Sequence, residues 1–183
     1  MNSLYILIGI VAALVLWVIY AYNMFIKSKL LVDNNFSQIK IQCKKRFDLV
    51  PNLVETVKGY AAHEKETLEN VITARNKGNS ANSPEELAKA TNQLTQTLGR
   101  LFALGEAYPD LKANANFANL QNELSSLEKA IAASRQFYND AVMMYNRNIM
   151  TFPNSIVANF FRFNKAEFFE ADEAETQNIK VSF

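Results

Sequence analysis

Apolar and polar positions along the chain divide it into one membrane-type run and several helical periods. From Leu4 to Phe25 the run LYILIGIVAALVLWVIYAYNMF contains one amide, Asn23, and no charged side chain. At about 1.5 Å of rise per residue, such a run crosses a hydrocarbon core of roughly 30 Å. Trp17, Tyr20 and Tyr22 fall in its second half, where aromatic rings meet headgroups. A cleaved signal peptide is the competing reading. It needs a basic leader, a shorter apolar core and a small-x-small cleavage site, and none is present. The run is therefore expected to be an uncleaved anchor. Nothing basic precedes it, whereas Lys27 and Lys29 follow directly. The positive-inside rule then predicts an amino terminus outside and the rest in the cytoplasm. With only Met1 to Ser3 outside, no extracellular sensing domain is expected.

Beyond residue 30 the period is helical. Phe36, Cys43, Val50, Val57, Glu64 and Val71 recur every seven residues, and so do Lys40, Phe47, Val54, Ala61, Leu68 and Arg75. This spacing predicts one long helix over 30–76 with a narrow inward seam. Pro51 lies inside it without changing the phase, which predicts a kink near Asp48–Pro51, with Asp48 as an N-cap if the chain breaks. Gly78 is expected to cap the carboxyl end, followed by the loop KGNSANSP. Ser83-Pro84-Glu85-Glu86 is a capping box, so a second helix starts there and runs to about Glu106. Phe117, Leu124, Ile131, Tyr138 and Tyr145, with Leu120, Leu127, Ser134 and Ala141, mark a third over 116–150. NSIVANFFRF predicts a short fourth helix before Phe163, after which no period persists.

The fold class expected is all-α: an amino-terminal transmembrane helix, then an antiparallel bundle of three long helices plus a short fourth. The corresponding domains are an anchor at 1–26, a cytoplasmic bundle at 27–162 and an acidic, loosely ordered tail at 163–183. At about 1.5 Å per residue the three rods would measure roughly 70, 35 and 50 Å. Such unequal rods leave the membrane-near end of the first uncovered. Phe36, Ile39 and Cys43 are therefore a candidate surface for another protein or another copy. Val181 and Phe183, in the terminal Val-Ser-Phe, are a second candidate, since such ends can add a strand to a peptide-binding groove or pack on the bundle.

Composition mainly subtracts functions. The chain of 183 residues carries 19 Lys+Arg and 18 Asp+Glu, so no general pull toward nucleic acid exists. Residues 27–77 hold ten basic and six acidic side chains, and residues 163–183 two and five. One cysteine excludes an internal disulfide framework. One histidine, His63, excludes any site that needs two. His63-Glu64 begins a zinc-protease motif, but Thr67 stands where the second histidine is required. The same shortage removes a di-iron carboxylate bundle. No catalytic, cofactor-binding or metal-ligating residue is assigned.

The remaining polar residues favour structure over chemistry. Arg46 and Asp48 could neutralise groups freed by a Pro51 kink, or mark a hinge. Glu64 fits a polar layer or an ion pair. Tyr138-Asn139 and Tyr145-Asn146 lie seven apart on one face and suit a register-setting layer between helices, with a ligand pocket as the alternative. Glu106 to Leu111 reads as a turn, although its paired carboxylates could do acid–base work.

The run RFDLVPNLVETVKGYAAHE at 46–64 closely resembles the signature of the LemA family of bacterial membrane proteins. GEAYPDLKAN at 105–114, YNDAVMMYN at 138–146 and TFPNSIVA at 151–158 agree with it. The resemblance covers nearly the whole chain. It implies a short extracytoplasmic terminus, one anchor and a cytoplasmic antiparallel helical bundle, and it carries no catalytic activity or cofactor. The expected function is a non-enzymatic scaffold or adaptor at the inner face of the bacterial plasma membrane. Its partners would be the bilayer, through residues 4–25, and another membrane or cytoplasmic protein. A homo-oligomer that organises membrane, and a small-ligand sensor or enzyme with a site among Glu64, Arg75, Tyr138 and Asn139, are the alternatives.

Overall fold

The computed structural model describes residues 2–169. Among these the secondary structure is helical throughout: α1 Asn2–Lys58, α2 Lys65–Ser80, α3 Pro84–Ala107, α4 Pro109–Lys112, α5 Ala115–Met150 and α6 Asn154–Phe160. They divide into two compact units. The first holds residues 2–36 and 136–167, the second residues 37–135 and 168–169.

In the second unit, the expected first helix is two helices. It ends at Lys58 and resumes at Lys65. Gly59 weakens helix propagation by roughly 1 kcal/mol relative to alanine. The N–H groups of Tyr60 and Ala61 both turn onto the Val57 carbonyl, at 3.0 and 2.8 Å. Side chains from the α3–α5 connection then pin the turn. Asn114 Nδ2 donates to the Tyr60 hydroxyl at 2.9 Å, and the Tyr108 hydroxyl donates to Glu64 Oε1 at 3.1 Å. The chain doubles back, so that Gly78 of α2 lies against the Phe47 ring of α1.

This reversal corrects two expectations. Gly78 lies inside α2 and caps nothing; Ala81 is the C-cap. Its lack of a side chain matters because a Cβ there would stand 2.3 Å from Phe47 Cζ. The candidate surface is also largely closed. Ile39 and Cys43 are fully buried. Phe36, in the first unit, is half-buried with its ring 5.8 Å from that of Tyr138.

Pro51 does not break α1. A proline there deprives the Phe47 carbonyl of its usual i+4 donor. Arg75 Nε of α2 donates to that carbonyl instead, at 3.3 Å. Asp48 caps nothing and pairs with Lys44 on the surface at 3.2 Å. Arg75→Met should therefore destabilise the protein by about 1–2 kcal/mol, by orphaning a part-buried carbonyl. In a Pro51→Ala background the loss should fall toward zero, because residue 51 regains its N–H. Equal losses in both backgrounds, in urea melts of the detergent-solubilised chain, would refute the compensation.

The start of α3 is as the sequence predicts. Ser83 Oγ accepts from the Glu86 N–H at 3.1 Å, and Glu86 Oε2 accepts from the N–H groups of Ser83 and Asn82 at 3.4 and 2.9 Å. Those backbone donors hold the Glu86 carboxyl below its ordinary pKa. Asn114 caps α5 by accepting from the Phe117 N–H at 3.0 Å.

In the first unit, α1 carries the apolar run, and its side chains there are exposed: Ile6, Leu7, Ile10, Leu14 and Ile19 are each more than half accessible. An 18-residue stretch of this helix has a mean hydropathy of 2.6. Ser28 of α1 accepts from Asn148 Nδ2 of α5 at 3.1 Å, and Asn35 Nδ2 donates to the Phe137 carbonyl at 3.3 Å.

Candidate functional site

Two polar clusters hold Arg46 and the two Tyr-Asn pairs singled out from the sequence. The first lies on α5 in the first unit. Residues seven apart share a helix face, so Tyr138 and Tyr145 face the same way. The expected partner was another helix. The structure gives them the backbone that follows α6. Tyr138 donates to the Glu167 carbonyl at 2.8 Å and Tyr145 to the Asn164 carbonyl at 2.9 Å. Asn146 holds Ala166 at two points: Nδ2 donates to its carbonyl at 2.9 Å, and Oδ1 accepts its N–H at 2.8 Å. The amide of Asn146 thus does for Ala166 what a neighbouring strand would do. Asn139 is half-buried beside Tyr138.

Burial is the main reason that both tyrosine hydroxyls have raised pKa values. The Glu167 and Asp33 charges add to this at Tyr138, and Asp33 at Tyr145. Both therefore remain protonated donors. Within the expected tail 163–183, residues 164–167 are fixed on α5; Val181 and Phe183 lie outside the described residues. Asn146→Ala is expected to cost about 2 kcal/mol, with hydrogen exchange at the Ala166 amide accelerating far more than exchange within α5. Unchanged protection at Ala166 would refute this assignment.

The second cluster is in the second unit. Arg46 lies three residues after Cys43 and four before Val50, so the seam spacing turns it inward. It is 3 % exposed. Its Nη1 donates to Thr95 Oγ1 of α3 at 3.0 Å, and its Nη2 lies 3.4 Å from Glu128 Oε1 of α5. The Thr95 hydroxyl reaches the same carboxylate oxygen at 2.9 Å. Arg135 of α5 donates to Thr91 Oγ1 at 2.6 Å, and its guanidinium stands 4.8 Å from the Phe169 ring centre. Arg46 is thus an interhelical cation rather than a neutraliser of a kink. Burial lowers its pKa and Glu128 raises it again. A guanidinium stays charged under such opposing pulls.

Cys43 lies beside this cluster. Burial pushes its thiol up to about 11, against a smaller opposite pull from Arg135 and Arg46. A thiol of that kind is not a nucleophile at neutral pH. Maleimide should label it slowly in the folded protein and quickly in urea; fast labelling of the folded state would refute its burial. Glu64, expected in a polar layer, precedes α2 and takes the Tyr108 hydroxyl, whose pKa that hydrogen bond raises. Its partner is a neutral phenol rather than a cation.

Thr91, Thr95, Glu128, Arg135 and the 164–167 backbone escaped the sequence reading. The inward position of Arg46 was the available signal, since a buried cation requires a nearby acceptor. No comparable signal marks residues 164–167, which have no period and bind through their main chain.

The arrangement is that of a membrane-associated helical protein whose buried polar groups join one element to another. The family model of the LemA family matches residues 35–183, and the chain belongs to that family. It is similar to Protein LemA of Metamycoplasma hominis, with 28 % identity over 155 residues that cover 82 % of this chain and 69 % of the relative. It is also similar to Magnetosome protein MamQ 2 of Paramagnetospirillum magneticum, with 24 % identity over 190 aligned positions, 90 % of this chain and 70 % of the relative.

Proposed function

We propose that this chain is a single-pass protein of the bacterial plasma membrane whose non-enzymatic helical scaffold acts on the cytoplasmic face through protein–protein contacts. The domain reading is an anchor at 1–26, an antiparallel helical bundle at 27–162 and an acidic tail at 163–183. The basic pair directly after the apolar run, Lys27 and Lys29, supports the orientation.

One observation carries the scaffold reading. Polar side chains in both clusters hold one element to another, as Arg46 does with Thr95 and Glu128, and Asn146 with Ala166. Partner contacts then fall to outward side chains of the second unit, such as Ile41 and Ile72, which are 47 % and 41 % exposed. The burial of Ile39 and Cys43 takes support from the alternative in which copies assemble through that end of α1.

The test is photo-crosslinking in native membranes from residues 41 and 72. The full chain should be compared with one ending at Phe169, so that the 164–167 contacts stay intact. A recurrent foreign protein, captured in proportion to expression, is expected. Adducts solely between copies would replace the adaptor by self-assembly, and an absence of protein adducts at both positions would remove the scaffold reading.

A further inference from the structure

Helix α6 is seven residues long and covers little of itself. Val157 and Ala158 face inward and are buried. Ile156 and Phe160, four residues apart on its outer side, are 59 and 79 % exposed, and Phe152, in the turn just before the helix, is 83 % exposed. Three large apolar side chains so exposed and so closely spaced mark a contact surface.

Its position says what the contact is. Immediately after α6, the Phe161 and Phe163 rings meet Tyr22 edge-on, with centres 4.9 and 5.6 Å apart, and Phe163 meets Phe25 at 5.3 Å. Tyr22 and Phe25 are the last aromatic residues of the apolar run. The exposed face of α6 is therefore continuous with the end of that run, at the depth where a spanning helix leaves hydrocarbon.

The turn that brings the rings there is a Schellman motif. The Phe163 N–H donates to the Ala158 carbonyl at 2.9 Å, and the Arg162 N–H to the Asn159 carbonyl at 3.2 Å. Arg162 takes φ 59°, a left-handed conformation that favours glycine and costs another residue about 1 kcal/mol. With Lys29 and Lys165 it lines a cleft of about 400 Å³ that also includes Asp33, Tyr22 and Tyr145. Three cations thus stand against one carboxylate beside the exposed aromatic face.

We propose that residues 152–165 form an interfacial lipid-binding element. Phe152, Ile156 and Phe160 enter the layer between headgroups and acyl chains, and the Lys29, Arg162 and Lys165 cleft receives the phosphate of an anionic phospholipid. Aromatic rings favour that layer, and basic side chains next to it gain from anionic headgroups. The proposal rests on α1 spanning the bilayer.

The experiment uses the full chain in vesicles of equal parts phosphatidylcholine and phosphatidylglycerol. A Phe160→Trp, Trp17→Phe variant gives one fluorophore on α6, while the unaltered chain reports the anchor through Trp17. Lipids with a nitroxide near the headgroup should quench the residue-160 emission severalfold more strongly than aqueous iodide does. The reverse order would overturn insertion, and shielding from both quenchers would mean that a protein covers this face. If Trp17 also escapes quenching by lipid-borne nitroxides, the spanning reading itself fails; if Trp17 is quenched and residue 160 is not, the interfacial element alone fails. Native mass spectrometry of the extracted protein should retain phosphatidylglycerol severalfold over phosphatidylcholine. Arg162→Gln with Lys165→Gln should abolish that preference. Equal retention by the unaltered chain, or displacement of the lipid by inorganic phosphate at similar concentration, would overturn the headgroup assignment.

Discussion

Gly78→Leu is expected to destabilise the protein by about 3 kcal/mol or more, and Gly78→Ala by about 1–2 kcal/mol, despite the higher helix propensity of both residues. Alanine in place of glycine inside a helix gains roughly 1 kcal/mol, so propensity alone predicts stabilisation. Packing opposes it. A Cβ at this position would lie 2.3, 2.7 and 2.8 Å from three atoms of the Phe47 ring. Phe47 is 2 % exposed. Its ring has two ways to retreat. It can push α1 away from α2, which opens the contact and strains the Arg75 bond to the Phe47 carbonyl. Alternatively, it can swing into the cleft of about 420 Å³ that it borders with Lys40, Lys44 and Arg75, which gives up burial worth roughly 2 kcal/mol. Either retreat exceeds the propensity gain. Phe47→Leu removes the outer ring atoms, so the Phe47→Leu, Gly78→Ala pair should be more stable than the sum of the single changes implies. Urea melts of the detergent-solubilised chain, followed by helical circular dichroism, measure this. A stabilised Gly78→Ala protein would show that the ring is not held against α2.

Heptad spacing reads which side chains turn inward, but not where the chain reverses. Val57 and Val71 each lie seven residues from Glu64, one before it and one after, and are both fully buried, as the period predicts. They nevertheless belong to different helices, because the turn at 59–64 leaves the spacing unchanged. Local signals with their own hydrogen bonds were fully legible: the capping box at Ser83 and Glu86, and the long period of α5. So was family membership, which the Arg46–Glu64 run carries in its side chains. The turn at 59–64 was not legible, since residues distant in sequence, Tyr108 and Asn114, hold it. One misplaced reversal propagated to a second conclusion. An overlong first helix made Ile39 and Cys43 look uncovered, although the spacing had already marked Cys43 as inward. At the polar cluster of α5, the shared face of Tyr138 and Tyr145 was readable but its partner was not. That partner is main chain, which leaves no trace in residue identity.

Glu128→Gln is expected to cost about 2 kcal/mol, whereas Arg46→Met, at the other end of the same ion pair, should be close to neutral. The asymmetry follows from burial. The Arg46 side chain is 4 % exposed and that of Glu128 48 %. Removing the carboxylate's charge leaves a cation in the interior that faces neutral acceptors, the Thr95 hydroxyl at 3.0 Å and an amide oxygen at position 128, with Arg135 repelling it. Breaking a buried pair in this way costs roughly 3–5 kcal/mol when both partners are enclosed, and water at the half-exposed Glu128 site reduces that figure. Removing the cation instead leaves Glu128 free to hydrate. Methionine fills much of the vacated volume with apolar atoms and ends the desolvation that lowers the Arg46 pKa. The Arg46→Met, Glu128→Gln double variant should therefore recover most of the loss seen with Glu128→Gln alone. A surface ion pair would behave differently, with both single changes small and both effects erased by salt. Urea midpoints at low and high salt separate the two cases. A larger loss from Arg46→Met than from Glu128→Gln would mean that the arginine is retained for its packing and hydrogen bonds, and that its charge is not what the α1–α5 contact has to balance.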